Sequence, residues 1–330
     1  QRGTSSTSSG IKTVDRWNAL WSGGGITQSQ VALTSGGAYD EGHRHAFKMA
    51  VTSTNSGNAR YAQMRYIPEA KDIRNFGWQY TSSSSYITVS FWAKSSLAGT
   101  YFFSFYGPDS GTAQTYSTSF TLAADTWTKV TKTIPGGSNV VLNDDTGVGF
   151  YIDIRIDLGT DYTASDATMN AWHNHVSTKY TTDIAQSWQN TGSATFEVTG
   201  VKLEIGQSAT TFEKLDYTSE FAKCQRYYWT IRGDEGQDFS NNYSFLVQWG
   251  SARTDGWSPF FNLFHPAEMR AIPTVTQVGT WATNNGGTIS FSGYRSKMHT
   301  GLGLTSTTAG SPAYQHFNST DDAITFEAEL

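Results

Sequence analysis

Between Phe150 and Leu158 the sequence alternates without a break. Phe150, Ile152, Ile154, Ile156 and Leu158 form one set, and Tyr151, Asp153, Arg155 and Asp157 form the other. A helix would scatter the two sets around its circumference, whereas a strand, with a side-chain period of two, separates them onto opposite faces. The segment from Gly149 to Leu158 is therefore predicted as a strand with one face committed to a core. Tyr86 to Trp92 alternates in the same way, with Ile87, Val89 and Phe91 on the apolar side. Thr100 to Tyr106 and Trp127 to Ile134 read as two more strands, the latter stopped by Pro135-Gly136-Gly137. In Thr195 to Ile205 the apolar phase set by Phe196 and Val198 flips to Val201, Leu203 and Ile205. The slip falls at Gly200, which predicts a β-bulge there.

From Gly159 to Gln189 no period holds, and the stretch reads as a long excursion with room for a short helix. The character changes again from Asp216 to Tyr228. Phe221, Cys224 and Tyr228 recur at helical spacing behind a capping residue, Asp216 or Thr218, so a short helix is expected to join two domains. Strand signals then resume. Tyr243, Phe245, Val247 and Trp249 alternate, Asn284-Asn285-Gly286-Gly287 suggests a hairpin turn before Thr288 to Phe291, and Ile324, Phe326, Ala328 and Leu330 share a face at the end. The fold class expected is all-β: a jelly-roll β-sandwich over residues 1–214, followed by a smaller β domain over residues 215–330 and joined to it by the helix. The smaller domain is expected to serve assembly. Trp17, Trp127, Tyr227, Tyr228 and Trp249 are read as packing residues, each stabilising by about 2–3 kcal/mol if fully buried.

Charge narrows the function classes. Residues 1–214 carry 16 basic and 17 acidic side chains and residues 215–330 carry 7 and 11. Neither part has the clustered Lys and Arg that phosphate neutralisation requires, so no nucleic-acid partner is expected. A single cysteine, Cys224, forbids an intrachain disulfide. No run approaches the roughly 18 apolar residues of a membrane span, so no membrane insertion is expected. The chain opens on Gln1-Arg2-Gly3 without a methionine, which leads us to expect natural sequence upstream.

Several motifs, in order along the chain, carry a resemblance. They are Gln1-Arg2-Gly3-Thr4 with Thr13-Val14-Asp15-Arg16-Trp17, Phe91-Trp92-Ala93-Lys94-Ser95-Ser96, and Asp125-Thr126-Trp127-Thr128-Lys129-Val130. Val201-Lys202-Leu203-Glu204-Ile205-Gly206 with Phe212-Glu213 follows, then Cys224-Gln225-Arg226-Tyr227-Tyr228, Met269-Arg270 with Pro273-Thr274-Val275, and the terminal Ala328-Glu329-Leu330. Together they resemble a family of tailed-phage virion structural proteins, of marine and cyanophage type, whose first domain is similar to the jelly roll of carbohydrate-binding modules. The resemblance implies a non-enzymatic tail-fibre, head-appendage or decoration component on the virion surface. It also implies other virion proteins as partners, and a homotrimer. A small aromatic-rich C-terminal domain without a disulfide fits such association, which would bury surface that its own core cannot. Adhesion to a host-surface glycan is the further expectation, and a glycan-degrading enzyme or its accessory carbohydrate-binding module is the alternative. The resemblance supplies no catalytic residues.

Sugar recognition needs an aromatic plane flanked by hydrogen-bonding groups. Strand alternation places Tyr151, Asp153, Arg155 and Asp157 on an outward face, with Tyr86 and Trp92 on the outward face of another strand. These six are the candidate carbohydrate-binding residues, expected to share one sheet face. The competing reading is a solvated face with ordinary cross-strand charge pairing. Two H-x-H pairs, His43 with His45 and His173 with His175, have strand spacing that suits metal ligation, but neither has a third ligand in the sequence and both read more simply as surface histidines. Asn143-Asp144-Asp145-Thr146-Gly147 offers oxygens to a structural calcium, or forms an Asx turn. No other cofactor is expected. There is no G-x-S-x-G elbow, phosphate-binding glycine loop or C-x-x-C pair.

Overall fold

The computed structural model describes residues 2–232, 246–251, 260–279, 281–284, 289–302, 312–316 and 322–330. The chain divides into two compact units, Arg2–Lys214 and Leu215–Glu329.

The first unit is a β-sandwich of the jelly-roll kind. Its strands are β1 (Ser5–Ser6), β2 (Trp17–Ser22), β3 (Gly25–Ala32), β4 (His45–Ser53), β5 (Tyr61–Tyr66), β6 (Tyr86–Ser95), β7 (Gly99–Gly107), β8 (Gln114–Leu122), β9 (Thr128–Pro135), β10 (Tyr151–Leu158), β11 (His173–Asn174) and β12 (Thr195–Ile205). Two short helices, α1 (Gly37–Asp40) and α2 (Ala70–Asn75), sit in connections. One sheet runs β1-β3-β4-β12-β6-β9 and the other β11-β8-β7-β10-β5-β2, and the strand pairs in both are antiparallel. Alternation puts Ile87, Val89 and Phe91 of β6 opposite Phe103 and Phe105 of β7 and Ile152 and Ile154 of β10, all in one dry core. The Phe91 ring meets the Phe120 ring edge-on at 5.4 Å, a favourable quadrupole geometry. Tyr101 is wholly inside, and its hydroxyl is paired with Ser95 and donates to the Leu97 carbonyl. Burial pushes its pKa up to about 12.

Besides a register shift between Gly25 and Ile26 at the start of β3, two irregularities re-aim side chains that bear on the site. In β12 the register with β6 shifts between Thr199 and Lys202, and Gly200 lies there with φ +62°, as the phase slip predicts. In β10 the register with β5 shifts between Arg155 and Asp157. Beyond the shift Asp157 lies opposite Ala62, a core residue, and Leu158 opposite Tyr61. The apolar face expected to run unbroken to Leu158 therefore ends at Ile156. The excursion from Gly159 to Gln189 is irregular, as expected, and does not use the room for a short helix. It passes over the second sheet, held by His173–Asn174 pairing with β8, by Asn170 N–H to the Ser117 carbonyl, and by the Ser117 hydroxyl to the Tyr180 carbonyl.

The Asn143–Gly147 run forms a turn. Asp145 Oδ1 accepts the Gly147 N–H at 2.9 Å, and Asn143 donates twice to Asp109. Its carbonyls at Gly147 and Asp145 take the Ala70 and Lys71 N–H groups, completing the otherwise uncapped first turn of α2. Near the N-terminus Arg2 pairs with Asp15 at 3.1 Å, and Arg16 donates to the Ile67 carbonyl, so the opening motif braces the edge of the sandwich.

The second unit opens with α3 (Tyr217–Gln225), whose first turn is capped by Asp216 Oδ1 accepting the Ser219 N–H at 3.0 Å. The helix stops before Tyr228, which instead starts β13 (Tyr228–Arg232). There follow β14 (Leu246–Ser251), β15 (Phe260–Phe264), β16 (Thr274–Val278), β17 (Ala282–Asn284), β18 (Ile289–Gly293), β19 (Lys297–Leu302), β20 (Pro312–His316) and β21 (Ala323–Glu327). They form three-stranded sheets β13-β21-β16, β14-β20-β17 and β15-β19-β18. The strand expected around Tyr243 to Trp249 is described from Leu246, and Tyr243 and Phe245 lie outside the described residues. Residues 285–288, where the hairpin turn was expected, lie outside them too; of the strands on either side, β17 pairs with β20 and β18 with β19.

Trp229 stacks on Phe326 at 4.3 Å and 9° in the core of this unit, beside buried Met269, Met298 and Ile324. The Trp229 indole donates to His265 Nδ1, which leaves Nε2 to donate to the Tyr294 carbonyl. Burial holds this His265 below the usual imidazole range. Motifs far apart in sequence meet here. The Arg270 N–H donates to the Arg226 carbonyl, the Ala328 N–H to the Tyr227 carbonyl, and the Arg270 guanidinium to the carbonyls of Ala328 and Glu329.

Candidate functional site

On the outer face of the second sheet, β5 presents Tyr61, Gln63 and Arg65, and β10 presents Tyr151, Asp153 and Arg155. Asp153 is fully buried and accepts from Arg65 at both oxygens, at 2.6 and 3.0 Å. Arg155 donates to the same carboxylate at 2.9 Å, and to Ser104 Oγ and Gln63 Oε1, each at 2.8 Å. The three N–H-bearing nitrogens of Arg155 are thus all engaged. Burial lowers the pKa of Arg155 against the pull of Asp153. Burial also opposes the charge on Arg65, but Asp153 outweighs it there and the pKa rises. Both guanidinium groups stay cationic.

The excursion supplies the aromatic wall. The Tyr180 ring lies over the Arg155 guanidinium at 4.3 Å, Tyr162 packs between Tyr180 and Tyr61 with both centroids 6.0 Å away, and His175 meets Tyr106 edge-on at 4.6 Å. Burial raises the pKa of Tyr180 and depresses that of His175, whose Nδ1 is paired with Thr115 Oγ1. Tyr61, Tyr162 and Tyr180 enclose a cleft of ≈ 210 Å³, with Leu20 and Leu158 also in its lining and Gln63, Arg65 and Arg155 as its polar groups. That is below the usual ~300–1,000 Å³ of small-molecule pockets, so the cleft holds part of a ligand rather than all of one. Among the described residues Arg65 Nη1 has no hydrogen-bond partner, which leaves a cationic donor in the lining.

The six residues expected to share a face do not. Tyr151, Asp153 and Arg155 lie together, but Asp153 and Arg155 are covered rather than outward to solvent. The covering segment, aperiodic and polar, gives no sign in sequence of where it lies. Asp157 has turned away at the bulge. It accepts from Arg60 at 3.2 Å and from the Gln189 N–H at 2.7 Å, while its Oδ1 is buried with no hydrogen-bond partner among the described residues. Burial raises its pKa. Tyr86 and Trp92 belong to the first sheet, whose outer face points the other way. Trp92 there donates to Glu41 at 3.0 Å and packs against Gly37. Tyr61, Tyr162 and Tyr180 escaped the sequence reading. Tyr61 stands in β5, a strand the sequence did not reveal, and the other two in the excursion.

The histidine pairs diverge as well. His43 is buried against the edge of Phe212 at 5.0 Å with Nε2 unpartnered, while His45 is exposed at the start of β4. His173 and His175 are each half-buried. Among the described residues no three His, Cys, Asp or Glu side chains are grouped to hold a metal.

No protein-family model matches the sequence, and no curated protein matches it. Solved structures that align with parts of this chain include the enzymatically active domain of tailspike protein 4 from bacteriophage CBA120, at 10% identity and TM-score 0.32, covering 58% of this chain and 19% of that one. A family 11 carbohydrate-binding module from Clostridium thermocellum, in complex with a β-1,3-1,4-mixed-linked tetrasaccharide, has 14% identity and TM-score 0.27 over 61% of this chain and 95% of that one. The tandem CBM22-1-CBM22-2 domain of Paenibacillus barcinonensis Xyn10C has 8% identity and TM-score 0.31 over 94% and 93%. The chain spans about a fifth of the tailspike domain. The fold itself is all-β, a jelly-roll sandwich followed by a smaller β unit.

Proposed function

We propose that the chain is a non-enzymatic surface component of a tailed-phage particle, a tail-fibre, appendage or decoration protein, whose sandwich binds glycan in the tyrosine-lined cleft. The observation that carries the glycan reading is the cleft itself. Tyr61, Tyr162 and Tyr180 offer ring faces and phenol groups, and Gln63 and Arg65 offer directed polar atoms, on a rigid sheet. A binding role fits a fixed floor: Asp153 is bridged by Arg65 and Arg155, which holds both guanidinium groups in place beneath the tyrosines. The virion reading, and the homotrimer with other virion proteins as partners, rest on the sequence motifs.

The test is a glycan array followed by titration calorimetry with wild type, Tyr162→Ala and Tyr180→Ala. Each variant is expected to lose about tenfold or more in affinity for the best neutral ligand, with no reducing ends released. Equal binding by all three removes the cleft from the function, and release of reducing ends makes the chain an enzyme. Gold-labelled antibody on intact particles is expected to decorate an external appendage, and light scattering to give three copies per particle of free protein.

A further inference from the structure

The opposite face of the sandwich holds a larger groove, ≈ 560 Å³, between the Val31–Gly37 segment and the outer faces of β4, β6 and β12. At its floor Glu197 is nine-tenths buried and stands between two ammonium groups, Lys94 at 3.0 Å and Lys48 at 3.9 Å. Lys94 also lies over the Trp127 ring at 5.1 Å, which pairs an aromatic wall with the charged floor. Trp127, expected to be a packing residue, does pack on the Leu33, Ala38 and Ala46 cluster, but it is only half-buried and also lines the groove. It can come so close to the loop because Gly36 has no side chain: a Cβ there would stand 2.9 Å from the ring.

The charges do not cancel at the floor. Two lysines face one carboxylate, and the 3.9 Å separation leaves Lys48 beyond hydrogen-bond distance of it, with three N–H donors that find no hydrogen-bond partner among the described residues. Its side chain is 28% exposed and Lys94's is 24%, so both are reachable yet partly desolvated. Asp125 also lines the groove, but it is exposed, where water and salt screen it. We propose that this groove is a second saccharide site, independent of the tyrosine cleft, that takes an acidic sugar: the carboxylate or sulfate ester seats on Lys48 and Lys94 while the ring lies along Trp127. It rests on the reading of the sandwich as a glycan binder, but not on the cleft.

The probes are oligogalacturonate, against its uncharged methyl ester, and a chondroitin sulfate tetrasaccharide, against the desulfated form with its glucuronates methyl-esterified, which is likewise uncharged. Binding of at least one acidic probe is expected, weakening as salt rises and lost about tenfold or more in Lys48→Gln and in Trp127→Ala. Glu197→Gln is expected to strengthen the same binding, because it frees the ammonium groups, an outcome that damage to the fold would not produce. Tyr180→Ala is expected to leave it unchanged. Circular dichroism and the melting temperature of each variant separate lost binding from lost structure. The proposal is overturned if neither acidic probe binds, if Lys48→Gln binds as wild type does, if Glu197→Gln weakens binding, or if Tyr180→Ala abolishes it. Neutral binding that survives in the cleft while both acidic probes fail would sink this site alone.

Discussion

Asp153 on the second sheet and Glu197 on the first each stand between two basic side chains, Arg65 and Arg155 in one case and Lys48 and Lys94 in the other. The charges are alike and the surroundings are not. The arginines hold Asp153 by bonds of 2.6 to 3.0 Å under a lid of tyrosines, with Arg155 entirely engaged. The lysines touch water, and one of them reaches its carboxylate only at 3.9 Å. Planar guanidinium groups suit a fixed, buried framework, while flexible ammonium groups suit a surface where a ligand can compete for them. One triad is therefore read as scaffold beneath a site and the other as a site in itself.

The comparison breaks most visibly on stability. Asp153→Ala leaves two guanidinium groups facing each other, one of them sealed from water. A buried pair broken in this way costs about 3–5 kcal/mol. Glu197→Ala removes a carboxylate whose partners can turn to solvent, for a cost within about 1 kcal/mol. Urea unfolding of both variants measures the difference. Equal losses would mean that the lid over Arg155 admits water freely and that the two faces do not differ in kind.

A second contrast lies between two of the bulges, that of β12 in the first sheet and that of β10 in the second. The β12 bulge depends on Gly200, since φ +62° disfavours any other residue and an added Cβ would stand 2.5 Å from His43 Nε2. Gly200→Ala is expected to cost about 2 kcal/mol or more, part backbone and part overlap. Adding His43→Ala should recover the overlap part alone. Additive losses in the double variant, measured by denaturation, would show that backbone strain is the whole effect. The β10 bulge, between Arg155 and Asp157, has no glycine.

That difference explains what was legible in the sequence. Glycine at a phase slip announces a bulge, so the β12 irregularity was readable. The β10 bulge falls inside a faultless alternation, and the turn of Asp157 to the interior side could not be seen. Strand alternation does give inside and outside for each strand, which is why Ile87, Val89, Phe91, Ile152 and Ile154 were assigned correctly to the core. It does not say which strands share a sheet. Trp92 and Tyr151 were therefore joined in one face, although long-range pairing sets them on opposite sides. Period also fails for segments that lie on a sheet without entering it, and so the lid carrying Tyr162 and Tyr180 read only as a loop. In the second unit the quoted motifs stood out before their reason did: Arg226, Arg270 and Ala328 are separated in sequence and bonded through their backbones and one guanidinium.

The smallest effect separates the two faces by the sign of their pH dependence. Asp157, on the second sheet, has its pKa raised by burial above the ordinary 3.8. The folded state then holds the proton more tightly than the unfolded chain. Its contribution is unimpaired below the ordinary value and is lost as pH rises through the raised one. His43, beside the first sheet, has its pKa lowered from 6.5, burial first and the charge of Lys214 second. Glu41 opposes that shift, while Lys129 and Arg44 reinforce it. The folded state resists protonation there, so stability is complete above 6.5 and falls as pH drops through the lowered value. Replacement isolates each term. Asp157→Asn keeps an acceptor for the Gln189 N–H, and relative to wild type it should gain stability as pH rises out of the carboxylate range. His43→Phe keeps a ring against Phe212, and it should gain relative to wild type as pH falls below 6.5. Melting temperatures of the three proteins from pH 4 to pH 8 decide the matter, read as differences so that His175 and His265 cancel. Difference curves that slope the same way would show that one of the two groups is not desolvated as its burial requires. Flat curves would show that water reaches both.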